Sequence, residues 1–406
     1  MLIHSLSQNI SQKIKLTGSK SISNRLLILN SLFNNKINLI NTSNSEDTNI
    51  LKKSLTSKEK KINIGHAGTA MRFLVSFFAY KGIEKIITGS SRMKKRPIGL
   101  LVEALRSIGV EIKYLEEIGF PPIKILPSKF NNNKLKIKGN ISSQFITSLL
   151  LIAPKLPNGL ELELTNKITS FPYLNMTLSI LNKLGIFTKK NENFILIKPI
   201  KKILQQNFII ESDWSSASYY YSIAAVSKNC NLELSYFFKN SLQGDSKIVS
   251  IYKNFFGVYT KFIDNKIILT KDNNFDFPKS INLNLNDSPD IAQTIAVTSA
   301  LLKIPTLLTG LETLKVKETD RIVALYKELK KCGIESTITN STINIQYFNK
   351  INYIPKIETY EDHRMAMAFS PFSLIHPIEI INSKVVKKSY PNFWKDINKL
   401  GIKRYK

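Results

Sequence analysis

Cysteine is nearly absent from this chain. There are two, Cys230 and Cys332, in unrelated contexts, so the sequence offers neither a disulfide framework nor a CxxC metal site. No apolar run reaches the roughly 18 residues that a bilayer-spanning helix needs. The opening MLIHSLSQNISQKIKLTGSK has no continuous apolar stretch behind a basic head, which excludes a secretory signal of the ordinary kind. It has no arginine before Arg25, which argues against a transit peptide. A reducing, cytoplasmic setting is the expectation. Acidic residues are also few, 30 Asp plus Glu against 58 Lys plus Arg, for a formal net charge of +28. A nucleic-acid partner is the sharpest reading of such a surplus. The lysines, however, are scattered through solvated segments such as those around Lys52, Lys58 and Lys60, and no RGG tract, zinc spacing or helix-turn-helix pattern accompanies them. The charge therefore points to an anionic small-molecule substrate, with no specific nucleic acid and no membrane as partners.

What is present is enough apolar residue for sizeable cores: 43% of 406 residues, a length that favours two domains. Two helical patterns alternate. The first is an apolar helix with small or polar residues at its head: SKSISNRLLILNSLF from Ser19, AGTAMRFLVSFFAY from Ala67, SSQFITSLLLIAP from Ser142, DWSSASYYYSIAAV from Asp213, DSPDIAQTIAVTSALL from Asp287 and YEDHRMAMAFSPFSLI from Tyr360. The second is an amphipathic helix closed by Gly109, Gly185, Gly257 or Gly333 and followed by β-branched alternation, the pattern of a helix C-cap and then a hairpin. Together they make about six βαβαββ-like units with a period of roughly 70 residues after a shorter first one. Three units per domain is the natural division. The expected lobes are residues 17–212, and 1–16 with 213–406, the N-terminal strand pairing into the second lobe and the active site lying in the cleft between them.

The helix heads carry the candidate chemistry. Residues 315–325, KVKETDRIVAL, place Lys317, Glu318, Asp320 and Arg321 where a helix begins. A helix start offers free N–H groups and partial positive charge, which suits an anion. The same logic applies to Gly18-Ser19-Lys20-Ser21, to Gly65-His66-Ala67-Gly68-Thr69, to Ser142-Ser143-Gln144, to Asp290 and to Asp362-His363-Arg364. Taken alone, Asp290 reads as a helix N-cap and Arg25 as a snorkelling residue.

These motifs also carry a family likeness. LTGSKSISNR, GHAGTAMR, RMKKRPIG, SSQF, SASY, QGD, VKETDR and YEDHRMAMA follow one another as in the 5-enolpyruvylshikimate-3-phosphate synthase family of enolpyruvyl transferases, which the chain resembles over nearly its whole length. The resemblance implies an α/β fold of two domains, each an inside-out α/β barrel of three βαβαββ repeats with helices in the middle. It implies transfer of the enolpyruvyl group of phosphoenolpyruvate to the 5-hydroxyl of shikimate 3-phosphate, on the route to chorismate and the aromatic amino acids, with no cofactor and no metal; a monomer is the expectation. By the same resemblance Glu318 exchanges the proton at the methylene carbon, Asp290 lies by the ring hydroxyls, and Lys20 touches both substrates. Shikimate 3-phosphate falls to Ser21, Arg25, Ser142, Ser143, Ser170 and Lys317, with Gln144 between the substrates. Phosphoenolpyruvate falls to Gly68, Arg96, Arg321, Arg364 and Lys388. His66 and His363 are supporting residues.

The chain departs from the common family pattern at His66 and Thr313, where relatives often carry asparagine, and at Phe73, where proline is common; these positions bear on substrate affinity and on glyphosate sensitivity. The nearest rival is the related transferase acting on UDP-N-acetylglucosamine, many members of which carry a cysteine in the loop that here reads GSSRMKKRPIG. From other classes, the rivals are a basic nucleic-acid-binding protein and an inactive scaffold; the latter need not keep Lys20, Arg96, Glu318, Arg321 and Arg364 together.

Overall fold

The computed structural model describes residues 1–139, 143–166 and 171–405, the side chain of Tyr347 excepted. The chain forms two compact units, one made of Met1–Ser19 with Glu211–Lys406 and one of Lys20–Ile210. The divisions fall after Ser19 and before Glu211, a few residues from the expected 16/17 and 212/213. The reason is local pairing: Gly18 bridges Ser212, the Ser19 amide donates to the Glu211 carbonyl at 2.8 Å, and the Asp213 amide donates to the Thr17 carbonyl at 3.2 Å. These bonds hold residues 17–19 to the discontinuous unit.

That unit contains three four-stranded sheets. In the first, Asn9–Ile14 runs parallel to Asn229–Ser235, and the hairpin Val258–Ile263 and Lys266–Lys271 adds antiparallel with its second strand inside. Ile281–Asn284, Thr306–Thr309, Ile343–Phe348 and Ile334–Ile338 repeat that order. So do Lys356–Ile357, Ile378–Ile380, Leu2–Ser5 and Ile402–Tyr405, where the first strand of the chain fills the inner hairpin position of the last sheet. The contiguous unit has two more sheets of this order, Lys61–Asn63, Lys85–Thr88, Ile123–Ile125, Ile112–Tyr114 and Lys134–Lys138, Leu160–Thr165, Phe194–Ile197, Thr188–Lys190. A parallel pair, Gln206–Ile209 with Ile37–Ile40, completes it.

Alternation drives the strands. In Asn229–Ser235 and Lys266–Lys271 the paired residues Leu232 with Leu269, and Leu234 with Ile267, are fully buried, while their neighbours face outward. Each such side chain contributes about 1.5–3 kcal/mol by leaving water. Gly257 ends the helix Ile248–Phe256 at φ 64, where a Cβ would both strain the backbone and meet the Phe275 side chain at 2.6 Å.

Two of the apolar helices with polar heads are buried on every side. In Trp214–Val226 all residues from Trp214 to Ala225 are buried, and in Ala292–Leu301 all from Ala292 to Ala300. Neither has a charged face to show to water. Several of their polar groups are paired: Ser218 donates to the Ser215 carbonyl at 2.7 Å, Tyr220 meets Tyr390 at 2.8 Å and Tyr221 meets Thr260 at 2.8 Å, whereas the Tyr219 hydroxyl, the Gln293 amide and the Ser299 hydroxyl are buried with no hydrogen-bond partner among the described residues. Among the described residues no helix is long and apolar enough to cross a membrane.

Candidate active site

In the discontinuous unit, the starts of three buried or half-buried helices, Ala292–Leu301, Arg321–Lys331 and His363–Ala368, bring their charged residues together. Arg321 is the centre of the cluster and is buried. Its Nε donates to Asp362 Oδ2 at 2.6 Å, its Nη1 to Asp290 Oδ1 at 2.9 Å and its Nη2 to Glu318 Oε2 at 2.9 Å. Burial opposes its charge, but Asp362 and Glu318 more than restore it, so its pKa stands above the ordinary value. Asp290 also receives Arg364 at 3.0 Å and Lys317 at 3.5 Å. Lys388, nearly buried, approaches Glu318 Oε1 at 3.4 Å. Lys317 is held below the usual lysine range, chiefly by burial, against the raising pull of Asp290.

One expectation is corrected by this geometry, and one alternative reading is removed. The Arg321 helix does not leave its first N–H groups open to an anion. Asp320 caps it, accepting from Ile322 N at 3.2 Å and Val323 N at 3.3 Å, and Lys317 and Glu318 lie before the helix rather than in its first turn. Asp290, for its part, is not an N-cap. It sits in the 3-10 turn Pro289–Ile291, and its carboxylate is taken up by cations.

The structure also brings in residues that the sequence reading did not assign. Asp362 grips Arg321 through both oxygens and caps its own helix by accepting from Arg364 N at 2.9 Å. His363 stands beside it, with Nδ1 3.6 Å from Asp362 Oδ1. Asp245 is buried against the Ser215 hydroxyl, and Ser215 in turn meets Arg364 Nη2 at 3.3 Å. Burial first, then the charge of Asp290, pushes the Asp245 carboxyl up to about 7. The signal for Asp245 was its place in the QGD motif; nothing in the sequence paired it with Ser215.

In the contiguous unit the helices Lys20–Leu32, Gly68–Lys81, Ser143–Ile152 and Phe171–Lys183 pack together. Lys20 Nζ is 3.2 Å from Asp47 Oδ2, and Asp47 is another residue that the sequence reading did not assign. Arg25 is buried. It donates to Thr177 Oγ1 at 2.9 Å, the Ser21 carbonyl at 2.8 Å, the Tyr173 carbonyl at 3.3 Å and Thr147 Oγ1 at 3.4 Å. The snorkelling alternative is thereby removed. Burial lowers its pKa to about 10. Gly68 opens its helix without a side-chain cap, and a Cβ there would overlap Arg96 Nη1 and lie 2.9 Å from Arg72 Nη1. Arg72 donates to the Gly68 carbonyl at 2.8 Å and the Pro97 carbonyl at 3.2 Å. Gln144 Nε2 reaches Thr69 Oγ1 at 3.2 Å, so the first turns of the Gly68 and Ser143 helices are neighbours. Ser21 and Ser143 are half-buried at their helix starts. His66 is exposed, with Nδ1 3.0 Å from Ser90 Oγ. Ser142 and Ser170 lie outside the described residues. Among the described residues no group of three or more His, Cys, Asp or Glu side chains is placed to hold a metal ion.

The fold is that of solved enolpyruvyl transferases. An EPSP synthase from Acinetobacter baumannii superposes with a TM-score of 0.75 at 21% identity, covering 99% of this chain and 98% of that one. The enolpyruvyl transferase NikO from Streptomyces tendae does so with 0.73 at 11%, covering 99% and 97%. These likenesses define the fold. The family profile described as EPSP synthase (3-phosphoshikimate 1-carboxyvinyltransferase) matches residues 50–397. The 3-phosphoshikimate 1-carboxyvinyltransferase of Bacteroides fragilis (strain YCH46) is 43% identical over 397 residues, 97% of this chain and 96% of the relative. That of Buchnera aphidicola subsp. Cinara cedri is 36% identical over 418 residues, 95% and 94%. The chain belongs to the EPSP synthase family, and it is an enolpyruvyl-transferring enzyme of the shikimate pathway.

Proposed function

We propose that the enzyme joins the enolpyruvyl group of phosphoenolpyruvate to the 5-hydroxyl of shikimate 3-phosphate and releases phosphate. In this reading the hydroxyl oxygen bonds to the central carbon of phosphoenolpyruvate as its proton departs, and the methylene carbon takes up a proton. The tetrahedral adduct then loses phosphate by cleavage of its C–O bond, and a methyl proton leaves to restore the double bond. Two proton-exchanging groups and dense positive charge are required.

The observation that carries the reading is the pair of carboxylates, Asp290 and Glu318, bound to one buried guanidinium yet braced by different cations, Lys317 with Arg364 and Lys388 respectively. Glu318 serves the methylene carbon and Asp290 the 5-hydroxyl, with Lys20 assisting. Lys317, Ser21, Arg25, Ser142, Ser143 and Ser170 hold shikimate 3-phosphate, and Gln144 stands between the substrates. Gly68, Arg96, Arg321, Arg364 and Lys388 hold phosphoenolpyruvate, with His66 and His363 in support. Arginine suits this task because its planar fork matches carboxylate and phosphate oxygens. The reading draws its residues from both units. It also takes the six sheets as copies of one βαβαββ plan arranged as two inside-out barrels, for which the common strand order of five sheets and the fully buried helices speak.

The test is phosphate release. Rapid release with both substrates, and none with shikimate 3-phosphate omitted, is the expected result; equal release without it, or transfer to UDP-N-acetylglucosamine instead, overturns the reading.

A further inference from the structure

Glu328 is a fully buried carboxylate outside the set just described. It lies on the helix Arg321–Lys331, seven residues after Arg321, which is about two turns and so the same face. Its Oε1 accepts from the Tyr360 hydroxyl at 2.5 Å, and its Oε2 from the Glu358 amide at 2.9 Å and from Lys331 Nζ at 2.8 Å. Two of these three donors belong to the corner between the strand Lys356–Ile357 and the helix His363–Ala368. That corner is strained: Tyr360 and Glu361 are consecutive L-residues in the left-handed region, at φ 52 and φ 55. The turn closes with the Asp362 amide donating to the Thr359 carbonyl at 2.8 Å. Immediately after it comes the Asp362 carboxylate, gripping Arg321 through both oxygens. One helix face therefore holds the corner at two points, Arg321 on its far side and Glu328 on its near side.

We propose that Glu328 is a positioning residue for the transfer reaction, pinning the left-handed corner at residues 360–361 so that Asp362 stays locked on Arg321. Without the pin, a strained corner relaxes toward ordinary backbone angles and carries Asp362 with it. Arg321 then loses the partner that fixes the plane of its guanidinium, and a small displacement of an anchor is costly in this kind of site. The inference rests on the reading that Arg321 holds phosphoenolpyruvate.

The test is steady-state kinetics on Glu328→Ala, Glu328→Gln, Tyr360→Phe and, as a control on the underlying reading, Arg321→Lys, each checked for folding by circular dichroism and melting. Glutamine has a way to keep the corner: its amide oxygen accepts from Glu358 N while its NH₂ donates to a reversed Tyr360 hydroxyl. Glu328→Ala is expected to raise KM for phosphoenolpyruvate about tenfold or more, with KM for shikimate 3-phosphate within about twofold of the parent. Glu328→Gln should bring the phosphoenolpyruvate KM back to within about threefold, and Tyr360→Phe should fall between the two. A folded Glu328→Ala with the parental phosphoenolpyruvate KM, or with both KM values raised equally, overturns the proposal. If Glu328→Ala does not fold, Tyr360→Phe decides: a raised phosphoenolpyruvate KM supports the pin, and a parental one overturns it. An unchanged KM in Arg321→Lys overturns the assignment of Arg321 and this inference with it, whereas a raised value there beside a parental one in folded Glu328→Ala overturns the positioning role alone.

Discussion

The two units hold their buried arginines in opposite ways. Arg321 is surrounded by carboxylates, Asp290, Glu318 and Asp362. Arg25 is held by two threonine hydroxyls and two backbone carbonyls. The first arrangement fixes acids in place with their charges matched, which suits proton exchange. The second keeps a cation out of water with only neutral acceptors around it, so that burial depresses its pKa and an arriving anion gains the most by meeting it. A buried charge is therefore not one kind of object. Its partners decide whether it is scaffold, reagent or socket.

The sharpest way to break this contrast is at Glu318. Glu318→Gln keeps the shape between Arg321 and Lys388 and loses the exchangeable carboxylate proton. It should lower kcat roughly 100- to 10,000-fold while leaving the affinity for shikimate 3-phosphate little changed, as steady-state kinetics beside a binding titration would measure. Turnover within a few-fold of the parent would remove Glu318 from the proton chemistry.

The next pair of variants compares the arginines directly. Arg321→Ala strands three carboxylates in a buried cluster and should destabilise the protein by about 3–5 kcal/mol. What folds should show a raised KM for phosphoenolpyruvate. Arg25→Met removes a buried cation whose four acceptors are neutral, and should cost no more than about 1–3 kcal/mol, the price of leaving acceptors unmet, while abolishing tight binding of shikimate 3-phosphate. Denaturant melts of the two variants decide the matter. Equal losses of stability would mean that the partners of a buried arginine do not set its role here.

The smallest effect is a matter of pH. The Asp245 carboxyl, raised by burial to about 7 from an ordinary 3.8, binds its proton more tightly in the folded chain than in the unfolded one. Its contribution to stability is complete below the unfolded value and is lost as pH climbs from about 4 to about 7, with a slope of at most about 1.4 kcal/mol per pH unit. Asp245→Asn should flatten that part of the stability profile measured by urea melts at successive pH values. An unaltered slope would show that Asp245 is ionised throughout.

Much of this was legible in the sequence, because it follows from local periodicity. Buried helices announced themselves as apolar runs with polar heads, and Gly109, Gly185, Gly257 and Gly333 all take the positive φ expected of them. The family resemblance led to Arg321, Glu318, Asp290, Arg364 and Lys388, which the fold brings into one cluster. Partnership was not legible. Asp362 meets Arg321 across 41 residues of sequence and Asp47 meets Lys20 across 27, and no spacing rule reports such pairs. The helix start at Arg321 also misled: a run of acids and bases reads alike whether it awaits an anion or, as with Asp320, supplies the cap itself. Glu328 is the extreme case. On a helix ending in KELKK it reads as one more solvated charge, and only the returning strand makes it buried.

The placement of Leu2–Ser5 sets an order of assembly. This strand lies inside its sheet, flanked by Ile378–Ile380 and Ile402–Tyr405, with the Met1 amine donating to the Ile380 carbonyl at 2.9 Å. It is made before both of those strands, whereas Lys20–Ile210 is contiguous and has its whole sequence in hand before either of them is made. The strand must therefore wait, unpaired along both edges, until the last strands of its sheet have been made, while the contiguous unit already holds all of its own partners.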